Sequence, residues 1–133
     1  MENTYAAYKD LSENAIDAAF KTALGHYQQG PNGCFESTYA TDGKNYAQVR
    51  YERKKYYVHV IAAIRRHKRV PIAQQEEVSH LCHNRKCFNP SHLEYESGPI
   101  NKSRGCCALF KDVSGYKCPH EPTCIGATPI PAK

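Results

Sequence analysis

The sequence predicts a small α+β fold in which helices and an antiparallel β-sheet are held together by ligand-bearing loops, and three observations predict it. A helix-period run of apolar residues (Ile16, Ala19, Phe20, Ala23, Leu24, Tyr27) gives way to short strand-like runs separated by turn residues. The apolar supply is thin, with no Trp, one Met, four Phe and a mean hydropathy of −0.69. Seven cysteines are interleaved with histidines, most densely between Val78 and Cys107. Burial alone would stabilise such a chain weakly, so bound metal is expected to supply part of the folding free energy.

At 133 residues the chain forms one domain, residues 1–133. Residues 1–10 read as a loose lead-in. An amphipathic helix is predicted over 12–28 within an N-terminal unit of residues 1–30. Asp10 or Ser12 caps it, and Gly30-Pro31-Asn32-Gly33 ends it. Residues 34–58 read as a sheet. Its strands are Cys34–Ala40, Asn45 to about Arg53, and Lys55–Val58, with Thr41-Asp42-Gly43-Lys44 as the hairpin turn. His59–Arg66 reads as helix, although its Val and Ile content leaves a strand open. Residues 67–77 are a polar connection through Pro71. Residues 77–107 follow as a core unit: a strand at Glu77–Leu81, a loop rich in Cys, His and Asn, and a short helix over Ile100–Arg104. A second ligand set occupies 107–124, and 125–133 is a Pro- and Ala-rich arm.

Thiolate and imidazole in short loops form the ligand set of tetrahedral zinc. Cys82, Cys87 and His92 supply three ligands, and Cys34, the one cysteine upstream, completes a Cys3His site. Cys118, His120 and Cys124 need a fourth ligand, which Cys107 or Cys106 can supply; the spacing favours Cys107. Two structural zinc ions are therefore expected. Closed four-ligand sites leave no position for chemistry. An odd cysteine count without an apolar leader after Met1 favours metal over disulfides, hence a reducing intracellular compartment, nuclear or cytoplasmic. No segment has the apolar length of a membrane span.

The net charge is +5 and it is concentrated. Arg50, Arg53, Lys54, Lys55, Arg65, Arg66, Lys68 and Arg69 face only Glu52 within one stretch, the footprint of a phosphate-binding surface. Antiparallel strands carrying Lys, Gln and Arg suit the major groove of double-stranded DNA, and Lys44, Gln48, Arg53 and Lys54 are the side chains most exposed to it.

The pattern Ser79-His80-Leu81-Cys82-His83-Asn84, then Cys87, Asn89-Pro90, His92-Leu93, Asn101 and Arg104 before Cys107, resembles the His-Cys box homing endonucleases. These are members of the His-Me finger (ββα-metal) nucleases. The likeness spans about Cys34 to Cys124 and is dense from Ser79 to Cys107. It implies a ββα-metal active-site motif with His80 as general base, held through its other ring nitrogen. It also implies that the Asn101 carboxamide oxygen ligates one Mg2+. Arg50, or Arg53 nearby, would clamp the phosphate from the preceding sheet. A homodimer making a double-strand break at a near-palindromic site follows from the same resemblance. Outside it, His80 could be a buried core histidine and Asn101 a helix cap. His26, His59 and His67 read as surface or packing residues. A non-specific nuclease of the same superfamily and a cleavage-dead, zinc-stabilised DNA-binding protein are the alternative functions.

Overall fold

Ten short elements succeed one another in the computed structural model, which describes residues 5–110 and 112–127. The first is a helical turn, α1 (Ala6–Lys9), where the sequence predicts a loose lead-in. Tyr8 accounts for the difference. Its buried ring meets Tyr56 edge-on at 5.3 Å, and its hydroxyl accepts the Tyr57 N–H at 2.8 Å. Helix α2 (Glu13–Leu24) starts at Ser12, whose side chain accepts the Ala15 N–H at 3.1 Å, and ends at Gly25 rather than at residue 28. Tyr27 continues the helical spacing but belongs to a strand, β1 (Tyr27–Gln29), paired antiparallel with β2 (Phe35–Ser37). Gly30 to Gly33 thus make a hairpin turn rather than the expected helix stop, which falls at Gly25.

The predicted single sheet is three two-stranded antiparallel sheets. Asp42-Gly43 does turn the chain, because the Asp42 carboxylate accepts the N–H groups of Lys44 (2.9 Å) and Tyr46 (3.0 Å), but only the bridge Thr41–Ala47 flanks it. The full hairpin joins β3 (Gln48–Tyr51) to β4 (Lys54–Tyr57) through Glu52 and Arg53, at φ 47 and 69. Both turn residues lie in the left-handed region that a two-residue hairpin loop demands. Cross-strand register places Gln48, Arg50, Lys55 and Tyr57 on one face, and Val49, Tyr51, Lys54 and Tyr56 on the other. Val49 and Tyr56 are buried, so the second face is the inner one.

Helix α3 (Val58–His67) is the hub, and the helical reading of this run holds. Every residue from Val58 to Ile64 is buried, so α3 packs against α2 on one side and β4 on another. It also touches β5 (Glu77–His80) and β6 (Leu93–Glu96), whose register pairs Val78 with Tyr95 and His80 with Leu93. Helix α4 (Gly98–Phe110) follows, 13 residues long where the sequence predicts only Ile100–Arg104, and completes a β5–β6–α4 unit. No helix among the described residues is long and apolar enough to cross a membrane.

Phe88, fully buried, meets Phe20, Tyr27 and Phe35 edge-on at 5.8 to 6.0 Å and ties the ligand loop to α2 and the first hairpin. Phe88→Ala should cost about 3–5 kcal/mol in urea-unfolding experiments, as expected for truncating a buried aromatic ring.

Candidate metal centres and active site

Strand β2 and the loop after β5 are stitched together along the backbone. Ser37 N–H donates to the Lys86 carbonyl (3.0 Å), Phe88 N–H donates to Phe35 (2.9 Å), and Glu36 bridges to Cys87. Asn84 donates to the Glu36 carboxylate at 2.7 Å, and Asn89 to the Gly33 carbonyl at 2.8 Å. This pairing brings Cys34, far away in sequence, onto Cys82, Cys87 and His92. The ligand atoms of these four residues all lie within 4.8 Å of one another. Cys34 Sγ and Cys87 Sγ stand 3.6 and 3.5 Å from His92 Nδ1. Tetrahedral zinc with Zn–S of ~2.3 Å and Zn–N of ~2.0 Å spans S···N edges of roughly 3.5 Å, so the donor set fits the ion.

Cys107, on α4, gathers with Cys118, His120 and Cys124 in the same manner. Its Sγ is 3.2 Å from His120 Nδ1, and Cys118 Sγ is 3.3 Å away. Cys106 is exposed and Cys107 buried, which settles the fourth ligand in favour of Cys107. The Ser103 hydroxyl donates to Ile100 O (2.7 Å), so at 2.8 Å it accepts from His120 Nε2–H. That fixes the tautomer whose Nδ1 lone pair faces the thiolates. All seven cysteines are free thiols. In the first cluster a hydrogen bond from Cys82 draws Cys87 down to about 5, while burial drives Cys34 up to about 11. Thiols this close cannot all ionise unless a cation compensates them.

Arg104 joins the second cluster to the ββα unit. It is 1% exposed and grips Glu96 of β6 by two contacts of 2.6 Å. Its third nitrogen donates to Pro122 O (2.8 Å) and Cys124 Sγ (3.2 Å). The pair is fully desolvated, so removing one partner is far more costly than removing both.

His80 closes β5. The Cys87 carbonyl can only accept, so the 3.1 Å contact with His80 Nε2 means that this nitrogen carries the proton. Nδ1 is then the lone-pair nitrogen, and it has no hydrogen bond within the described residues. Burial pulls His80 down to about 4 against the raising effect of the Cys87 carbonyl, and Arg85 adds to the depression. The ring stacks near Tyr46 (6.0 Å) and His59 (4.9 Å). Those two residues wall a cavity of about 470 Å³ that Asn101, Lys44 and Tyr57 also line.

Asn101 does not cap α4; the Ser97 hydroxyl accepts the Ile100 N–H instead, at 3.4 Å. The Asn101 carboxamide faces β5, where Oδ1 accepts from Ser79 and Nδ2 donates to Glu77, both at 2.8 Å. Arg50 is exposed on β3, on the face shared with Gln48 and the cavity-lining Tyr57, but it does not itself line the cavity. Arg53 sits in the hairpin turn, and Lys54 falls on the opposite face from Arg50 and Gln48. His59 was legible only as a packing residue. In the structure its buried Nδ1 lacks a partner and burial lowers its pKa well below the ordinary value, so it is a neutral imidazole beside His80. A histidine within the buried, otherwise apolar run Val58–Ile64 of α3 was the available signal.

Two outcomes follow from this geometry. The purified protein should carry two zinc ions per chain by elemental analysis, and Cys87→Ser should lose one of them together with the cooperative unfolding transition. Arg104→Met should destabilise by about 3–5 kcal/mol, and adding Glu96→Met should recover much of that in a double-mutant cycle.

The family model described as the zinc-binding loop region of homing endonuclease matches residues 26–131, which include all eight clustered ligands as well as His80 and Asn101. Family membership supports a nuclease role and, with it, DNA as the polymer acted upon. The chain therefore belongs to the His-Cys box homing endonuclease family of the His-Me finger nucleases.

Proposed function

We propose that the protein is a homing-type, site-specific DNA endonuclease in which His80 is the general base. The observation that carries this reading is the His80 tautomer: with Nε2–H held by the Cys87 carbonyl, Nδ1 is the acceptor nitrogen and has no hydrogen bond among the described residues. A neutral imidazole with a free lone pair is what proton abstraction from water requires. His80 Nδ1 takes that proton as the water oxygen bonds to phosphorus. The bond from phosphorus to the 3′ oxygen breaks, and the leaving oxygen takes a proton from solvent, giving a 5′-phosphate and a 3′-hydroxyl.

Asn101 Oδ1 is the proposed ligand for a hard cation. The oxygen accepts one hydrogen bond, from Ser79, and retains a second lone pair, while Glu77 holds the amide nitrogen. Held there, Mg2+ or a similar hard cation would supply positive charge where the 3′ oxygen leaves. Gln48, Arg50 and Lys55 share one exposed strand face leading to Tyr57 at the cavity, and we assign that face, with Lys44, to the DNA; Arg53 and Lys54 reach the backbone from the hairpin tip. Two copies acting as a symmetric dimer would cut both strands. Thiolate ligation supports a reducing intracellular compartment, nuclear or cytoplasmic, as part of the same proposal.

Nicking of supercoiled plasmid with Mg2+, followed by mapping of cuts on a random DNA library, tests the proposal. His80→Ala should slow cleavage by about 10²–10⁴-fold with zinc content and circular dichroism unchanged. Asn101→Ala should match the effect of omitting Mg2+ without loss of fold. Smeared cleavage would point to a non-specific nuclease, and binding without any nicking would point to a DNA-binding protein.

A further inference from the structure

We propose that Arg85, on the zinc-bound loop, binds the scissile phosphate beside His80. This deepens the nuclease reading and rests on it. Arg85 is exposed, yet it is fixed at two points: Nη1 donates to the Lys44 carbonyl at 3.0 Å, and the guanidinium lies over the Tyr46 ring at 5.4 Å. Tyr46 is the ring that stacks on both His59 and His80, so the cation stands one aromatic ring away from the proposed base.

The backbone under Arg85 is rigid. Neighbouring Asn84 donates to Glu36 and accepts the Lys86 N–H, Cys87 N–H donates to Asn84 O, and Cys82 and Cys87 anchor the two ends of the loop in the first metal cluster. Four other arginines are neutralised by carboxylates: Arg65 by Asp17, Arg66 by Glu94, Arg69 by Glu76 and Arg104 by Glu96. Among the described residues no carboxylate pairs with Arg85. A guanidinium with no carboxylate partner among the described residues, held over Tyr46 one ring away from the proposed base, presents a planar fork to a tetrahedral anion. Lys44, whose carbonyl positions Arg85, lines the cavity walled by Tyr46 and His59 and adds a second cation. On this reading Arg50, on the strand face of Gln48 and Tyr57, contacts DNA flanking the cut.

Arg85→Ala and Arg85→Lys in the zinc-loaded full-length protein test this by two readouts. The first is single-turnover nicking in Mg2+. Arg85→Ala should lower the rate at saturating DNA by about a hundredfold, and Arg85→Lys should recover only part of it, since the ammonium lacks the fork. The second is DNA affinity against salt with Ca2+ replacing Mg2+, where Arg85→Ala should reduce the log–log slope by about one phosphate contact. If the wild type binds DNA but never cuts, the nuclease reading fails while the slope still decides whether Arg85 holds a phosphate. An unchanged slope and an unchanged nicking rate would overturn the proposal, and so would a wild type that neither binds nor cuts. Should Arg85→Ala lose zinc, Arg85→Gln, which retains a donor for the Lys44 carbonyl, gives the same two readouts.

Discussion

The arrangement rests on one residue acting at both ends. Cys87 gives its sulfur to the first metal cluster and its carbonyl to His80 Nε2. A group that must be placed to a fraction of an ångström is thereby tied to the most rigid kind of bond the chain can make, coordination to a d10 cation. The same loop carries Arg85 outward and Phe88 inward, and its outer strand pairing with β2 delivers Cys34. Orientation of the base, closure of the cluster and seating of the aromatic core are consequences of a single short segment being immobilised.

The second cluster performs a parallel task for the helix. Cys107 belongs to α4, and Arg104 on the same helix spans Glu96 of β6 and Cys124 of the tail. Asn101 lies one turn before Arg104, with its carboxamide already fixed between Ser79 and Glu77. Base and carboxamide thus each lie near a ligand cluster in sequence, and both come to β5, which carries His80 and whose Ser79 and Glu77 hold Asn101. A chain with so little apolar surface reaches that definition through coordination and buried ion pairing rather than through a large core.

How much of this was legible in the sequence depends on the kind of signal. The ligand pairs were, because tetrahedral coordination needs only residue type and short spacing, and the lone upstream Cys34 left no competitor. The choice between Cys106 and Cys107 needed the helix phase of α4, which turns one cysteine inward and its neighbour to solvent. Hairpin positions were less legible: Glu52 and Arg53 are not turn-formers by composition, and their left-handed conformations are imposed by the pairing of Val49 with Tyr56. Tyr27 misled because its spacing from Leu24 fits a helix, whereas its ring is claimed by Phe35 and Phe88. His59 and Arg85 gained meaning only from neighbours distant in sequence, which periodicity does not report.

The tail beyond α4 is attached in a distinctive way. Among the described residues its buried cluster consists of Cys107, Cys118 and Cys124, with Tyr116 and Ala127 packed beside them, so these residues offer little hydrocarbon to glue it to the rest. The Ile125 N–H reaches Leu81 O, next to the proposed base, at 2.8 Å. Oxidants that consume thiolates would therefore release this tail while the Phe88-centred core stayed folded, and the loosening would arrive at the strand end that holds the imidazole.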